Sequence, residues 1–191
     1  MLIPFSEDVC NLSIRTSIRH LLIEGLKLEE LDGIVDVYLP DLRYSSDKWG
    51  REYSRAPEYP AHARRAIKEM YRQVGNLAVD GDGIAVRGVI VRHLILPDGI
   101  AGSRETLEWL AGELSHDITV SIMSQYHPAY RAGQYPPLSR AISRAEYEEV
   151  VDIVNGLGLE NGWLQELGSE KEYLPDFQDD NPFNRSAGKK V

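Results

Sequence analysis

The sequence predicts an α/β protein with parallel strands. Three observations carry that reading. Helical and strand patterns alternate along the chain. The strand-like runs are apolar and β-branched. They also stop in polar clusters, as in Ile34–Tyr44, Gly88–Pro97 and Ile118–Pro128. Buried apolar strands alternating with helices imply a parallel sheet with right-handed crossovers. A strand that ends in Asp, Arg, Gln, Tyr or His is how an α/β barrel presents a site at the carboxyl ends of its strands.

The elements follow in order. Leu21 to Leu31 carries leucines at helical spacing and stops at Asp32-Gly33. Ile34 to Leu39 is a short strand closed by Pro40. Ser45 to Tyr59 is polar and irregular and reads as a loop over that strand end. Pro60 to Val74 is an amphipathic helix with Gly75 as its C-cap. Asp80-Gly-Asp-Gly83 is a turn leading to a strand over Val89 to Leu96. Ser103 caps a helix reaching about Leu114, and Ile118 to Met123 is the next strand. Gln125 to Leu138 is a loop rich in Pro, Tyr and Gly. Ser143 with Glu146 forms a capping box that opens a helix to about Leu157. Asn161 to Gln165 is one more short strand, and the sequence from Gly168 onward is polar and reads as disordered. So few strands make a thin sheet. Parallel strands need cover on both faces, so the pattern reads as part of a larger barrel or sheet.

Composition narrows the function. The 191 residues suffice for one domain with a core, and 42% hydrophobic with 27% charged residues is ordinary for a soluble globular protein. No apolar run is long enough to span a bilayer, and the first residues lack a signal-peptide pattern, so a cytoplasmic location is expected. The net charge of −9 argues against a nucleic-acid partner. Arg64, Arg65, Lys68 and Arg72 read as the solvated face of a helix. The single cysteine, Cys10, excludes an intramolecular disulfide and a multi-cysteine metal centre. No Ser/His/Asp order, Walker loop or dinucleotide fingerprint is present.

The candidate site residues lie at strand ends. Asp41 and Arg43 follow the first strand. Their carboxylate could accept from ribose hydroxyls, although spacing alone favours a surface ion pair. Arg92 and His93 are neighbours in one strand and point to opposite faces, so at most one faces a site. Arg92 shares its face with Ile90 and Leu94, and His93 shares the other with Val91 and Ile95. A hydrogen-bonded core role is the better reading of His93. A buried Arg92 suggests an anionic partner. Gln125, Tyr126 and His127 form the densest polar cluster, and for His127 ligand contact and loop packing are both open. No second histidine has metal spacing to it.

Several blocks carry a resemblance. They are Asp32–Tyr44, Ala66–Gly75, Arg87–Pro97, Val120–Pro128 and Asn161–Glu166, in order within Leu26 to Leu167. Together they resemble the radical S-adenosylmethionine proteins of the pyruvate formate-lyase-activating-enzyme-like subgroup. The resemblance implies the C-terminal portion of a partial (β/α)6 TIM-like barrel over residues 24–167. It leaves 1–23 as a divergent N-terminal segment and 168–191 as a polar tail. It implies S-adenosylmethionine and a [4Fe–4S] cluster as cofactors, with hydrogen abstraction from a glycyl partner or another substrate. Asp41 and Arg43 resemble the family's ribose-contacting Asp-Leu-Lys segment, with Arg in place of Lys. Arg92 and His93 resemble the next strand's cofactor-facing pair, and His127 resembles the histidine that approaches the adenosine at the last strand's end; Gln125 joins them as a cofactor-binding candidate.

The family's Cys-x3-Cys-x2-Cys loop has no counterpart here. Three thiolates hold such a cluster, and one cysteine cannot. The chain is therefore expected to be catalytically silent alone. A cysteine-bearing N-terminal half in another chain, a protein substrate, or a second copy joined through exposed strand edges are the partners this implies. The alternative is a non-enzymatic nucleoside- or partner-binding module derived from that fold.

Overall fold

The computed structural model describes Ile3–Pro4 and residues 28–168. The predicted helix from Leu21 is described only from Leu28, where Leu28–Leu31 forms one 3-10 turn. Cys10, the remainder of the divergent N-terminal segment and the residues after Gly168 lie outside the described residues.

The strands are β1 (Ile3–Pro4), β2 (Val37–Tyr38), β3 (Ala78–Val79), β4 (Ala85–Leu94), β5 (Thr119–Met123) and β6 (Gly162–Leu164). The helices are α1 (Asp47–Ser54), α2 (Tyr59–Val74), α3 (Ser103–Glu113) and α4 (Arg144–Gly156). Five strands pair in parallel in the order β1-β6-β5-β4-β2, and β3 pairs antiparallel with β4. The mixed α/β class and its parallel sheet thus match the sequence reading. Strand order advances from β2 through β4 and β5 to β6 without reversing.

Register explains which side chains reach the core. Val91 lies beside Val120, and His93 beside Ile122. Val89, Val91, Val120 and Ile122 are buried in one core with Ile67, Met70 and Val74 of α2. The same core takes Leu107 and Leu110 of α3, and Val150, Ile153 and Val154 of α4. One face of the sheet therefore carries the helical layer. Alternation assigns Ile90, Arg92 and Leu94 to the other face, beside Thr119, Ser121 and Met123. Burial of a full aliphatic side chain contributes roughly 1.5–3 kcal/mol, so the helical face holds most of the stability.

Local chemistry sets the helix ends. Ser143 accepts from the Glu146 N–H and Glu146 accepts from the Ser143 N–H, completing the expected capping box. Gly75 ends α2 with φ +71° and its N–H on the Tyr71 carbonyl, as its sequence position implied.

Several elements differ from the sequence reading, β4 among them, which runs over Ala85–Leu94 and not Val89 to Leu96. Ser45 to Tyr59 is not all loop, because Asp47–Ser54 is α1, capped by Ser46. Trp49 and Tyr53, one turn apart, stack at 5.3 Å and give this polar helix its apolar side. The first strand is shorter than Ile34 to Leu39, because Ile34 and Val35 both donate to the Leu31 carbonyl in a turn. Strand β3 is an addition, too short for a sequence pattern. Ser103 is the first helical residue and not the cap, because its hydroxyl is drawn to His93 and Gly102 takes the cap position.

Candidate functional site

Three strand ends converge on one cavity of about 110 Å³, lined by Asp41, Arg43, Arg92, Leu94, Met123 and Gln125. Asp41 sits three residues beyond β2 and is bridged in parallel to Arg92 of β4. The ladder continues there through Arg92 N–H on the Pro40 carbonyl and Leu42 N–H on the Arg92 carbonyl. That backbone pairing places the Asp41 and Arg92 side chains next to each other without reliance on a flexible loop.

The Arg92 Nε and a terminal Nη both donate to Asp41 Oδ1 at 2.8 Å. Arg43 donates to Asp41 Oδ2 at 3.3 Å. One carboxylate thus faces two guanidiniums, leaving one surplus positive charge. The pairs are partly exposed, with 26% of the Asp41 side chain, 41% of Arg92 and 55% of Arg43 accessible. Their mutual attraction is accordingly modest.

Tyr59 braces this corner from α2. Its hydroxyl donates to the Asp41 carbonyl at 3.1 Å and accepts from the Arg43 N–H at 2.9 Å. Burial pushes the Tyr59 hydroxyl above its ordinary value, and the Arg43 contact only partly offsets this, so it stays a donor. Gln125 enters from the end of β5. Its Oε1 accepts from Gln165 Nε2 at 3.0 Å, and Gln165 in turn holds the Ser124 N–H. The Gln125 amide NH₂ remains available to the cavity. Sequence reasoning missed Tyr59 and Gln165. Their roles come from contacts across 16 to 41 positions, which no local pattern carries.

The structure thus brings together Asp41, Arg43, Arg92 and Gln125. It does not bring His93 or His127 to them. His93 is a correction to the resemblance. Being next to Arg92, it faces the helical layer, fully buried, with Nδ1 2.7 Å from the Leu42 carbonyl and Nε2 2.9 Å from Ser103 Oγ. Burial lowers its pKa to about 4, so it is neutral at pH 7. In that state Nδ1–H donates to the carbonyl and Ser103 Oγ–H donates to Nε2. His127 is exposed on the loop after β5 and outside the cavity lining. Among the described residues it has no hydrogen-bond partner.

Neither implied cofactor is fully provided for. Among the described residues no group of three or more His, Cys, Asp or Glu could hold a metal ion. The whole sequence has one cysteine, so the residues present do not fit a [4Fe–4S] cluster. For a nucleoside the fit is partial. The donors suit ribose hydroxyls or an anionic group, but small-molecule pockets run from about 300 Å³. At about 110 Å³ the cavity encloses only a polar fragment, with the rest of a bound nucleoside lying outside it. Among the described residues no helix is long and apolar enough to cross a membrane.

No protein-family model matches this chain, and no solved structure matches it. It is similar to an uncharacterized protein of Methanocaldococcus jannaschii, 26% identical over 141 residues. The alignment covers 74% of this chain and 37% of the archaeal protein, so the chain spans little more than a third of that relative's length.

Proposed function

We propose that this chain is part of a β/α barrel of the radical S-adenosylmethionine type, and that it supplies a nucleoside-contacting corner without supplying the iron–sulfur cluster. The observation that carries this reading is the convergence of Asp41, Arg43, Arg92 and Gln125 in one cavity at the carboxyl ends of parallel strands. Asp41, Arg43 and Arg92 are positions where the sequence resembles that family, and Gln125 lies within one of the resembling blocks. The sequential parallel run β2-β4-β5-β6 within the sheet is also compatible with a barrel arc.

In this reading Asp41 accepts from ribose hydroxyls, oriented for that task by Arg92. Arg43 and Gln125 donate to neighbouring oxygens. Tyr59 fixes the Asp41–Arg43 backbone so that these donors and acceptors are preorganised. S-Adenosylmethionine, when bound, supplies the radical precursor, and its cleavage needs an electron from a cluster. Thiolates from another segment would have to hold that cluster. This chain's own residues bind and orient.

The single cysteine also favours a second reading, a nucleoside- or partner-binding module without radical chemistry. Both are tested by isothermal titration of the full chain with S-adenosylmethionine and with adenosine, alongside anaerobic incubation with iron and sulfide. Saturable binding weakened at least tenfold by Asp41→Ala and by Arg92→Ala, with no cluster absorbance, is the expected result. No binding at millimolar ligand would sink the nucleoside reading in both forms.

A further inference from the structure

β2 ends the strand order, so one of its two edges faces no strand among the described residues. Its hydrogen bonds show which groups that edge carries. Toward β4, the Asp36 carbonyl accepts from the Gly88 N–H, the Pro40 carbonyl accepts from the Arg92 N–H, and the Leu42 N–H donates to the Arg92 carbonyl. One register joins these bonds, with Val37 beside Gly88 and Asp41 beside Arg92. Along a strand, successive residues aim their N–H and C=O at opposite neighbours. Even-numbered residues from Asp36 to Leu42 therefore face β4, and Val37, Leu39 and Asp41 turn their backbone groups outward. Pro40, which has no N–H to give, lies on the β4 side and takes nothing from the outer edge.

Both ends of this outer edge are closed. Before it, Ile34 and Val35 turn back and donate to the Leu31 carbonyl. After it, the Tyr59 hydroxyl stands where a neighbouring strand would, donating to the Asp41 carbonyl and accepting from the Arg43 N–H. Between the two closures, the N–H and C=O of Val37 and of Leu39 meet no partner among the described residues. Both residues are part-exposed, and Ile34 at the near end is 64% exposed. An unpaired edge of this kind is a template for another strand.

The free groups complement themselves. In an antiparallel ladder, a facing pair of residues exchanges both of its backbone bonds. A twofold axis at Tyr38 sets Val37 of one copy against Leu39 of the other, and Leu39 against Val37. Every free donor of the two residues then meets a free acceptor. The same register lays a valine beside a leucine at each crossing, an apolar pair of the kind that stabilises sheets. Charge selects the same direction. Asp36, exposed and without an ion-pair partner among the described residues, lies at one end of the edge. Arg43, exposed and part of the surplus positive charge, lies at the other. Antiparallel pairing brings Asp36 of each copy toward the Arg43 end of its neighbour, whereas parallel pairing in register sets Asp36 against Asp36.

We propose that the β2 edge is a twofold interface between two copies of this chain, with Val37 paired to Leu39 across the axis and two sheets joined into one. Closed twofold dimers are the commonest symmetric assembly. Few backbone bonds hold this one, so the dimer is reversible and depends on concentration. It does not rest on the nucleoside reading, because the cavity uses neither Val37 nor Leu39.

Sedimentation velocity of the full chain, from micromolar to submillimolar concentration, should show monomer giving way to dimer. Hydrogen exchange read residue by residue locates the contact. The Val37 and Leu39 amides should exchange fast in the monomer and at least about tenfold more slowly in the dimer, while the Leu42 amide is protected in both. Val37→Pro deletes one outward N–H and no bond to β4, so it should hold the chain monomeric with an unchanged urea midpoint. A chain that stays monomeric throughout, a dimer that leaves Val37 and Leu39 unprotected, or a dimer that survives in a folded Val37→Pro protein overturns the proposal. Protection of both amides in the monomer also overturns it, in favour of a segment of the chain's own lying on that edge. Where Val37→Pro does not fold, the exchange pattern of the unaltered chain decides alone.

Discussion

Arg92 and His93 are consecutive in β4 and sit in opposite environments. The Arg92 guanidinium lies among the polar groups of a half-open cavity, bonded to Asp41 at 2.8 Å, while the His93 ring is fully enclosed between sheet and helices. The pleat of one strand separates a ligand-facing cation from a structural neutral ring.

His93 should make the protein acid-sensitive. Its folded pKa is about 4, against roughly 6.5 for an unperturbed histidine. The unfolded chain thus binds a proton first as pH falls. Stability contributed by this group is fully present above pH 6.5 and drains away as pH drops toward 4, by up to ~3 kcal/mol. Urea unfolding at pH 7, 5.5 and 4.5 should show that loss, and His93→Gln should flatten it. Identical pH slopes in the two proteins would refute the assignment.

Asp41→Asn should change stability by less than about 1 kcal/mol, because the pairs it breaks are part-exposed and solvent-screened. Binding of S-adenosylmethionine or adenosine should nonetheless fall. A large drop in urea midpoint would mean that Asp41 is structural first.

Tyr38→Phe isolates a buried hydrogen bond. The Tyr38 hydroxyl donates to Gln73 Oε1 at 2.5 Å, joining β2 to α2. Removing it leaves a buried acceptor unpaired, at a cost of roughly 1–3 kcal/mol. Thermal unfolding should register the change, and a shift below a degree would mean the carbonyl finds another donor.

Gly162→Ala should be among the most damaging single changes. Gly162 has φ +141°, and an added Cβ would overlap the backbone carbonyl of Val120 in the neighbouring strand. Backbone cannot yield as a side-chain tip does, so β6 should detach. Loss of amide protection at Val120 and Leu164 in hydrogen exchange would reveal it.

Ser143→Ala removes one half of a capping box and should cost about 1 kcal/mol. Glu146→Ala should cost more, because that carboxylate also binds Arg140 and the Asp98 N–H. Equal effects would argue that Arg140 contributes nothing beyond the cap.

Much of the fold was legible where a local rule had no rival. The Ser143–Glu146 box, the Gly75 stop and the apolar run of β5 are each decided by neighbours in sequence. α1 was not legible, because its apolar side consists of only Trp49 and Tyr53 among charged residues. Ser103 reads as a cap in sequence, but its hydroxyl has a stronger partner in His93, ten residues upstream. In the site, alternation alone correctly separated Arg92 from His93. The convergence of Asp41 with Gln125 depends on strand order, and the exposure of His127 depends on how its loop packs on α1.

The pairing of β1 with β6 has a consequence for the order of events during synthesis. Ile3 lies opposite Trp163, so β1 waits for a partner translated about 160 residues later. At ribosomal rates of roughly 5–20 residues per second, that interval is on the order of ten seconds or more. Until then the nascent chain can assemble β2, β4 and β5 with their helices, and the N-terminal strand joins last. Changes at Ile3 or Pro4 should therefore leave the earlier steps of folding untouched and act only on the final closure of that edge.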